Sequence, residues 1–85
     1  MNVTIIWDLD DDEEGNVQHI AQHFIDKEDV AHVFDNPVGV DTSDSSQRPM
    51  VFGYTIDDRY IAVIYDQIDE DSVYPITAFE VSEPM

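Results

Sequence analysis

The chain has 85 residues and a formal net charge of −17, because twenty aspartates and glutamates face only three lysines and arginines. This length fits one domain, residues 1–85, and an apolar content of 42% can supply one core, which argues against intrinsic disorder. The absence of cysteine excludes disulfides and thiolate metal sites. An acidic surface repels nucleic-acid phosphate and anionic lipid, so direct nucleic-acid binding is disfavoured.

The chain also lacks recognisable targeting features. No apolar run approaches the roughly 20 residues that cross a bilayer, and the first residues lack the basic segment of a secretory signal. The sequence therefore predicts a cytoplasmic protein without a membrane partner. Its acidity has two interpretations: carboxylates that solvate the surface, as in a salt-rich habitat, or a field that attracts a basic protein, polyamines or divalent cations.

The N-terminal half predicts a strand and a helix. Asn2 to Trp7 has the composition of a strand, and an acidic block follows from Asp8 to Glu14. A first helix is expected to begin between Asp12 and Asn16 and to end near Phe24. Its apolar stripe would contain residues at helical spacing, namely Val17, Ile20, Ala21 and Phe24.

A second helix is predicted by signals at both of its ends. Asp26 suits the N-cap, and Asp29 lies at the third helical position, as in a variant capping box. The Asn36-Pro37 pair ends the helix, because proline disfavours helical backbone in the preceding residue. The buried stripe would be formed by Val30, Val33 and Phe34.

The C-terminal half predicts strands. Met50 to Tyr65 contains two apolar runs around a polar break at Asp57-Asp58-Arg59, which is the pattern of a hairpin. Ser72 to Val81 predicts the last strand, where Pro75 indicates an edge position or a bulge. The remaining segments are a short edge strand at Val38–Val40, a polar loop at Asp41–Gln47 and an acidic turn at Asp66–Asp71.

The second run of the hairpin is apolar on both faces. Tyr60, Ala62 and Ile64 point to one side, whereas Ile61, Val63 and Tyr65 point to the other. The element order predicts an α+β fold: an N-terminal strand, two helices and then an antiparallel meander of three to four strands, with both helices on one face.

Several short motifs are arranged along this order. They are Ile6-Trp7-Asp8, His23, Glu28-Asp29-Val30, Val33 to Pro37, Arg48, Gly53-Tyr54-Thr55, Arg59 to Tyr65, and Ile76-Thr77-Ala78. From about Ile5 to Val81 the chain resembles the BrnT family, small toxins with a RelE-like ribonuclease fold that pair with a DNA-binding antitoxin. The resemblance implies a RelE/BrnT-like fold and a basic, antitoxin-like partner.

The chain departs from the family at basic positions. Gln22 stands where the family usually has a lysine before the histidine, Asp10 to Asp12 replace a basic residue, and Phe79 follows Thr77-Ala78 where arginine is common. Ribonucleases need cations to hold phosphate and to stabilise a charged transition state. We therefore expect a catalytically inactive domain that acts through protein–protein interaction.

Two further functions stay open. If the family's activity survives, an endoribonuclease toxin would use His23, Arg48 and Tyr65 as its catalytic set. In a third hypothesis, the acidic chain mimics nucleic acid and occupies the binding surface of a basic protein.

The sequence contains two further candidate sites, one for an anion and one for a metal ion. Arg48 and Arg59 could bind an anion together if the meander brings them close, although pairing with local carboxylates such as Asp57 or Asp58 is favoured. His19 and His23 are four residues apart, as in a two-histidine metal site, but no glutamate stands in the register of a His-Glu-x-x-His motif. No metal and no cofactor are predicted.

Overall fold

The computed structural model describes residues 3–84 and contains two helices and a five-stranded sheet. This arrangement confirms the predicted α+β class. Within the described residues, no helix is both long and apolar enough to span a membrane. The elements are β1 Thr4–Ile5, α1 Asn16–Ala21, α2 Lys27–Asp35, β2 Gly39–Thr42, β3 Pro49–Tyr54, β4 Tyr60–Asp69 and β5 Ser72–Glu80.

The sheet has the strand order β1-β5-β4-β3-β2. Strands β2 to β5 form the predicted antiparallel meander, with four strands. Strand β1 adds to its outer edge, parallel to β5, where Thr4 lies opposite Ser72 and Ile5 opposite Val73. The sheet is therefore mixed.

The first strand is shorter than predicted. It ends at Ile5, although Ile6 still donates a backbone hydrogen bond of 2.9 Å to the carbonyl of Val73. The chain then leaves the sheet, and both the amide and the carboxylate of Asp8 are hydrogen-bonded to Asn16 at the start of α1. Asn2, the predicted first residue, lies outside the described residues.

One face of the sheet packs against both helices, as predicted. The alternation along β4 places Ile61, Val63 and Tyr65 on this face. The core cluster combines residues of α1, the link to α2, α2 itself and the strands, namely Ile20, Ile25, Val30, Val33, Phe34, Val51, Ile61, Val63, Tyr65, Val73 and Ala78.

Helix α2 begins and ends where the sequence predicts. The amide of Asp29 donates to Asp26 Oδ1 over 2.9 Å, and the amide of Asp26 donates to Asp29 Oδ2 over 3.3 Å. This reciprocal capping box fixes the first turn. The helix ends at Asp35, just before the Asn36-Pro37 pair.

Helix α1 ends earlier than predicted, and the assignment of Phe24 to its buried stripe was wrong. The helix stops at Ala21, and Phe24 has φ 61° with 85% of its surface exposed. The amide of Phe24 donates to the carbonyl of Ala21, and that of Ile25 to the carbonyl of Ile20. These two bonds form a Schellman motif with Phe24 at the left-handed position, which returns Ile25 to the core next to Ile20.

The last two strands are longer and less regular than a simple hairpin. Strand β4 continues to Asp69, so the acidic turn predicted from Asp66 shrinks to Glu70 and Asp71. A register shift occurs where Ile64 lies opposite Thr77 but Tyr65 lies opposite Pro75. This irregularity is the bulge that Pro75 predicts, because proline has no amide to donate to the neighbouring strand.

Candidate functional site

The three residues of the predicted catalytic set lie in different environments. His23 is exposed after α1, and its ring is 6.4 Å from that of Phe79. Tyr65 lies in the core, 5.1 Å from the ring of Phe34, where burial raises the pKa of its phenol. Arg48 donates from Nε to Asp66 Oδ1 over 2.8 Å. Within residues 3–84, no hydrogen bond or ion pair joins any two of the three.

The two arginines considered for anion binding lie at opposite ends of a strand pair. Arg48 immediately precedes β3, and Arg59 immediately precedes β4. The two strands run antiparallel to each other. A six-residue strand separates the two ends by about 20 Å, since each residue advances roughly 3.3 Å. The structure therefore does not bring Arg48 and Arg59 together.

Every lysine and arginine is described, and each contacts a carboxylate. Lys27 Nζ lies 2.6 Å from Asp10 Oδ1, and Arg48 contacts Asp66 as above. Arg59 lies 3.1 Å from Asp57 and 3.5 Å from Asp29. These pairs occupy four of the twenty acidic residues and leave the other sixteen without a lysine or arginine partner. The pairs contribute little stability, but they neutralise the only permanent cations.

His19 in α1 and His23, two residues after its end, form a pair without a third ligand. The rings of His19 and His23 are 6.1 Å apart, and both residues are exposed. Across the part of the chain that the structure describes, no group of three or more histidines and carboxylates is arranged to hold a metal ion.

A partly buried polar network, formed by Asp8, Asn16 and Tyr74, joins the segment after β1 to α1 and β5. Asn16 is only 3% exposed and donates from Nδ2 to the carbonyls of Ile6 and Pro75, over 3.1 and 3.0 Å. Its amide donates to Asp8 Oδ2 over 2.8 Å, while the Asp8 amide donates to Asn16 Oδ1 over 2.9 Å. Tyr74 donates its hydroxyl to Asp8 Oδ2 over 2.5 Å.

The polar network shifts the ionisation of two of its members. The hydrogen bond to Asp8, followed by burial, raises the pKa of Tyr74 to about 12. The same bond and the Asn16 amide lower the pKa of Asp8. Gly15 allows the start of α1 to lie close to Asp8, since a β-carbon at position 15 would be only 2.6 Å from Asp8 Cβ. All polar groups of Asn16 are used within the protein, so we interpret this network as structural.

A different kind of site lies where the link between the helices meets the β3–β4 turn. We call this surface cleft, of about 320 Å³, the turn cleft. It presents two exposed apolar side chains among four carboxylates and one cation. It is lined by Phe24, Asp26, Glu28, Asp29, Ile56, Asp57 and Arg59.

Asp29 fixes the two sides of the turn cleft to each other. Besides capping α2, its Oδ1 accepts from the amide of Ile56 over 3.3 Å, and its Oδ2 lies 3.5 Å from Arg59 Nη2. Because Asp29 is buried, these contacts connect α2 to the β3–β4 turn in a defined position. The apolar side chain of Ile56 is nevertheless 60% exposed.

The β3–β4 turn is closed by its own hydrogen bonds. The Thr55 hydroxyl donates to Asp57 Oδ1 over 2.5 Å and accepts from the Arg59 amide over 2.9 Å. The bond from Thr55, followed by the one from Arg59, lowers the pKa of Asp57. Asp58 has φ 67°, a conformation that aspartate tolerates better than most residues. These hydrogen bonds therefore fix the turn on both sides of the exposed Ile56.

Sequence reasoning missed the turn cleft, although one signal was present. The cap of α2, Asp26, follows Phe24 by only two residues, so the chain must reverse between them. Ile20 and Ile25 have the spacing of the hydrophobic contact in a Schellman motif, which requires a left-handed residue at position 24. That position usually holds glycine, so a phenylalanine there has the pattern of the helical stripe and hides the end of the helix.

Comparisons with known proteins supply no relative: no family model, no curated protein and no solved structure matches this chain.

Proposed function

We propose that this chain is a small acidic domain with a BrnT/RelE-like fold. It has no catalytic activity and acts by binding a basic, antitoxin-like protein. The observation that supports this most is the pairing of all three cations with carboxylates. A phosphate that approaches the protein would meet arginines already paired with carboxylates and sixteen carboxylates without a lysine or arginine partner. A basic protein would meet the opposite situation, in which the field accelerates encounter and favours association.

The arrangement of the predicted catalytic set also supports binding over catalysis. General acid–base chemistry needs its groups within hydrogen-bond reach of one reacting centre. Here Tyr65 lies in the core, Arg48 contacts Asp66, and His23 lies beside Phe79. An active ribonuclease would require these side chains to rearrange around the RNA.

The test combines RNA and a cationic peptide with the same purified protein. We expect a labelled single-stranded RNA to remain intact and unbound at physiological salt. We expect an arginine-rich peptide to bind, with an affinity that falls as salt rises. RNA cleavage that disappears in His23→Ala or Arg48→Ala would contradict the proposal and support the ribonuclease alternative.

The nucleic-acid mimic is a narrower form of the same binding hypothesis, and the sixteen carboxylates without a lysine or arginine partner favour it. A mimic would compete with DNA or RNA for the nucleic-acid site of a basic protein. A complex of this chain with a basic partner that still binds its nucleic acid would exclude mimicry and leave the broader proposal intact.

A further inference from the structure

The turn cleft displays two apolar side chains from which the fold gains little. Phe24 and Ile56 are 85% and 60% exposed, so neither contributes much burial to the core. At position 24 the backbone is left-handed, a conformation that disfavours a bulky side chain and that glycine adopts freely. A residue chosen for stability alone would therefore be glycine or asparagine.

Both apolar residues are nevertheless held in place. The Schellman motif fixes the backbone of Phe24 through the amide bonds to Ala21 and Ile20, and it directs the side chain outward. The Ile56 amide is hydrogen-bonded to the buried carboxylate of Asp29. A pair of exposed apolar groups on ordered backbone loses little conformational freedom on binding, which is the property of an anchor site.

The charges around the pair specify the partner. The turn cleft contains four carboxylates and one cation, and Arg59 already contacts Asp57 and Asp29. The Glu28 side chain is exposed and makes no hydrogen bond or ion pair within residues 3–84. An arginine can donate two parallel hydrogen bonds to such a carboxylate and can stack on an aromatic ring, as Phe24 offers.

From these observations we propose that the turn cleft is the docking surface for a cationic amphipathic segment of the partner protein. Its apolar residues would pack on Phe24 and Ile56, and its arginines would contact Glu28 and Asp26. This inference rests on the proposed function, because it names the surface through which the basic partner binds.

The experiment uses the full chain and three short helical peptides. The first has leucines on one face and arginines on the other; the second replaces the leucines with serine, and the third replaces the arginines with glutamate. Binding is measured for wild type, Phe24→Gly, Ile56→Ser and the control Ile68→Ser. Ile68 is also an exposed isoleucine, 55% accessible, but it lies near the other end of β4.

We expect the arginine–leucine peptide to bind wild type and Ile68→Ser equally, and to bind Phe24→Gly and Ile56→Ser about tenfold more weakly. The arginine–serine peptide should bind weakly and equally to all four proteins, and the glutamate–leucine peptide should not bind. Phe24→Gly should also have a higher melting temperature than wild type, so one change raises stability and lowers affinity.

Different failures contradict different claims. Arginine–leucine binding that is unchanged in Phe24→Gly or Ile56→Ser overturns the docking surface but leaves the proposed function standing. An equal loss in Ile68→Ser overturns the docking surface as well, because binding would then follow general hydrophobicity. A lower melting temperature for Phe24→Gly contradicts the argument that position 24 is unfavourable for folding. If no cationic peptide binds, the proposed function fails together with the docking surface.

Discussion

The polar network and the turn cleft lie at the two ends of the short helix α1, and they differ in whether folding accounts for the residues they contain. In the polar network, Asn16 is buried and every polar group of its side chain has a partner. In the turn cleft, Phe24 is exposed and occupies a backbone conformation that favours glycine. The polar network therefore stabilises the fold, whereas the turn cleft contains a residue whose backbone conformation is unfavourable for folding.

This difference separates structural residues from candidate functional residues without any relative for comparison. Satisfied hydrogen bonds and close packing explain Asp8, Asn16 and Tyr74 through folding alone. Folding does not explain an exposed phenylalanine in left-handed backbone, so its presence points to an interaction outside the chain.

Asn16→Ala should have the largest effect on stability. It removes the partner of the Asp8 amide and of two carbonyls, those of Ile6 and Pro75, in a buried position. We expect a loss of about 3 kcal/mol in the free energy of unfolding, since each buried group left unpaired costs roughly 1–3 kcal/mol. Urea denaturation measures the loss. Gln18→Ala, which removes only an exposed hydrogen bond, is the control and should change little.

Gly15→Ala tests the close approach beside the same network. The added methyl group would lie 2.6 Å from Asp8 Cβ, so the chain must shift. We expect destabilisation of about 2 kcal/mol, as for overpacked sites. Gly39→Ala is the matched control because, apart from its two chain neighbours, no atom of the described residues lies within 4 Å of the added group. Equal urea midpoints for the two variants would contradict the packing described here.

Phe24→Gly tests the other region and should have the opposite sign. Relief of the left-handed strain should exceed the added entropy of the unfolded chain and raise the free energy of unfolding by about 1 kcal/mol. Phe24→Asn keeps a side chain that tolerates this conformation and should give a similar or smaller gain. Loss of stability in both variants would mean that Phe24 supports the fold.

The smallest expected effect is a pH dependence from the Tyr74–Asp8 hydrogen bond. Because the pKa of Tyr74 is raised to about 12 in the folded state, this hydrogen bond contributes fully to folding stability below the unfolded-state pKa of about 10. That contribution disappears as the pH rises through 12. The lowered pKa of Asp8 adds a second stabilising contribution, which is present above pH 3.8 and is lost as the pH falls further. The melting-temperature difference between wild type and Tyr74→Phe should therefore be largest at intermediate pH. A difference that is constant at all pH values would contradict this linkage.

Local signals predicted much of the fold. The capping residues and Asn36-Pro37 gave the limits of α2, and alternating apolar residues gave the faces of β4, because both patterns depend on neighbours in the sequence. The polar network was not predictable in this way, since Tyr74 and Asp8 are 66 positions apart. The parallel pairing of β1 with β5 likewise depends on the path of the whole chain.

The candidate site was less predictable than the fold. Phe24 fits the apolar spacing of a helix, and only the need to reverse before Asp26 distinguishes a cap from another helical turn. The separation of Arg48 and Arg59, in contrast, follows from the predicted hairpin, because one arginine precedes its first strand and the other lies in its turn.

The most direct test of the binding account is chemical-shift mapping of backbone amides while the isotopically labelled chain is titrated with the arginine–leucine peptide. We expect saturable shifts centred on Phe24, Glu28 and Ile56, with little change near Ile68. Shifts spread evenly over the acidic surface, or centred away from the turn cleft, would contradict it.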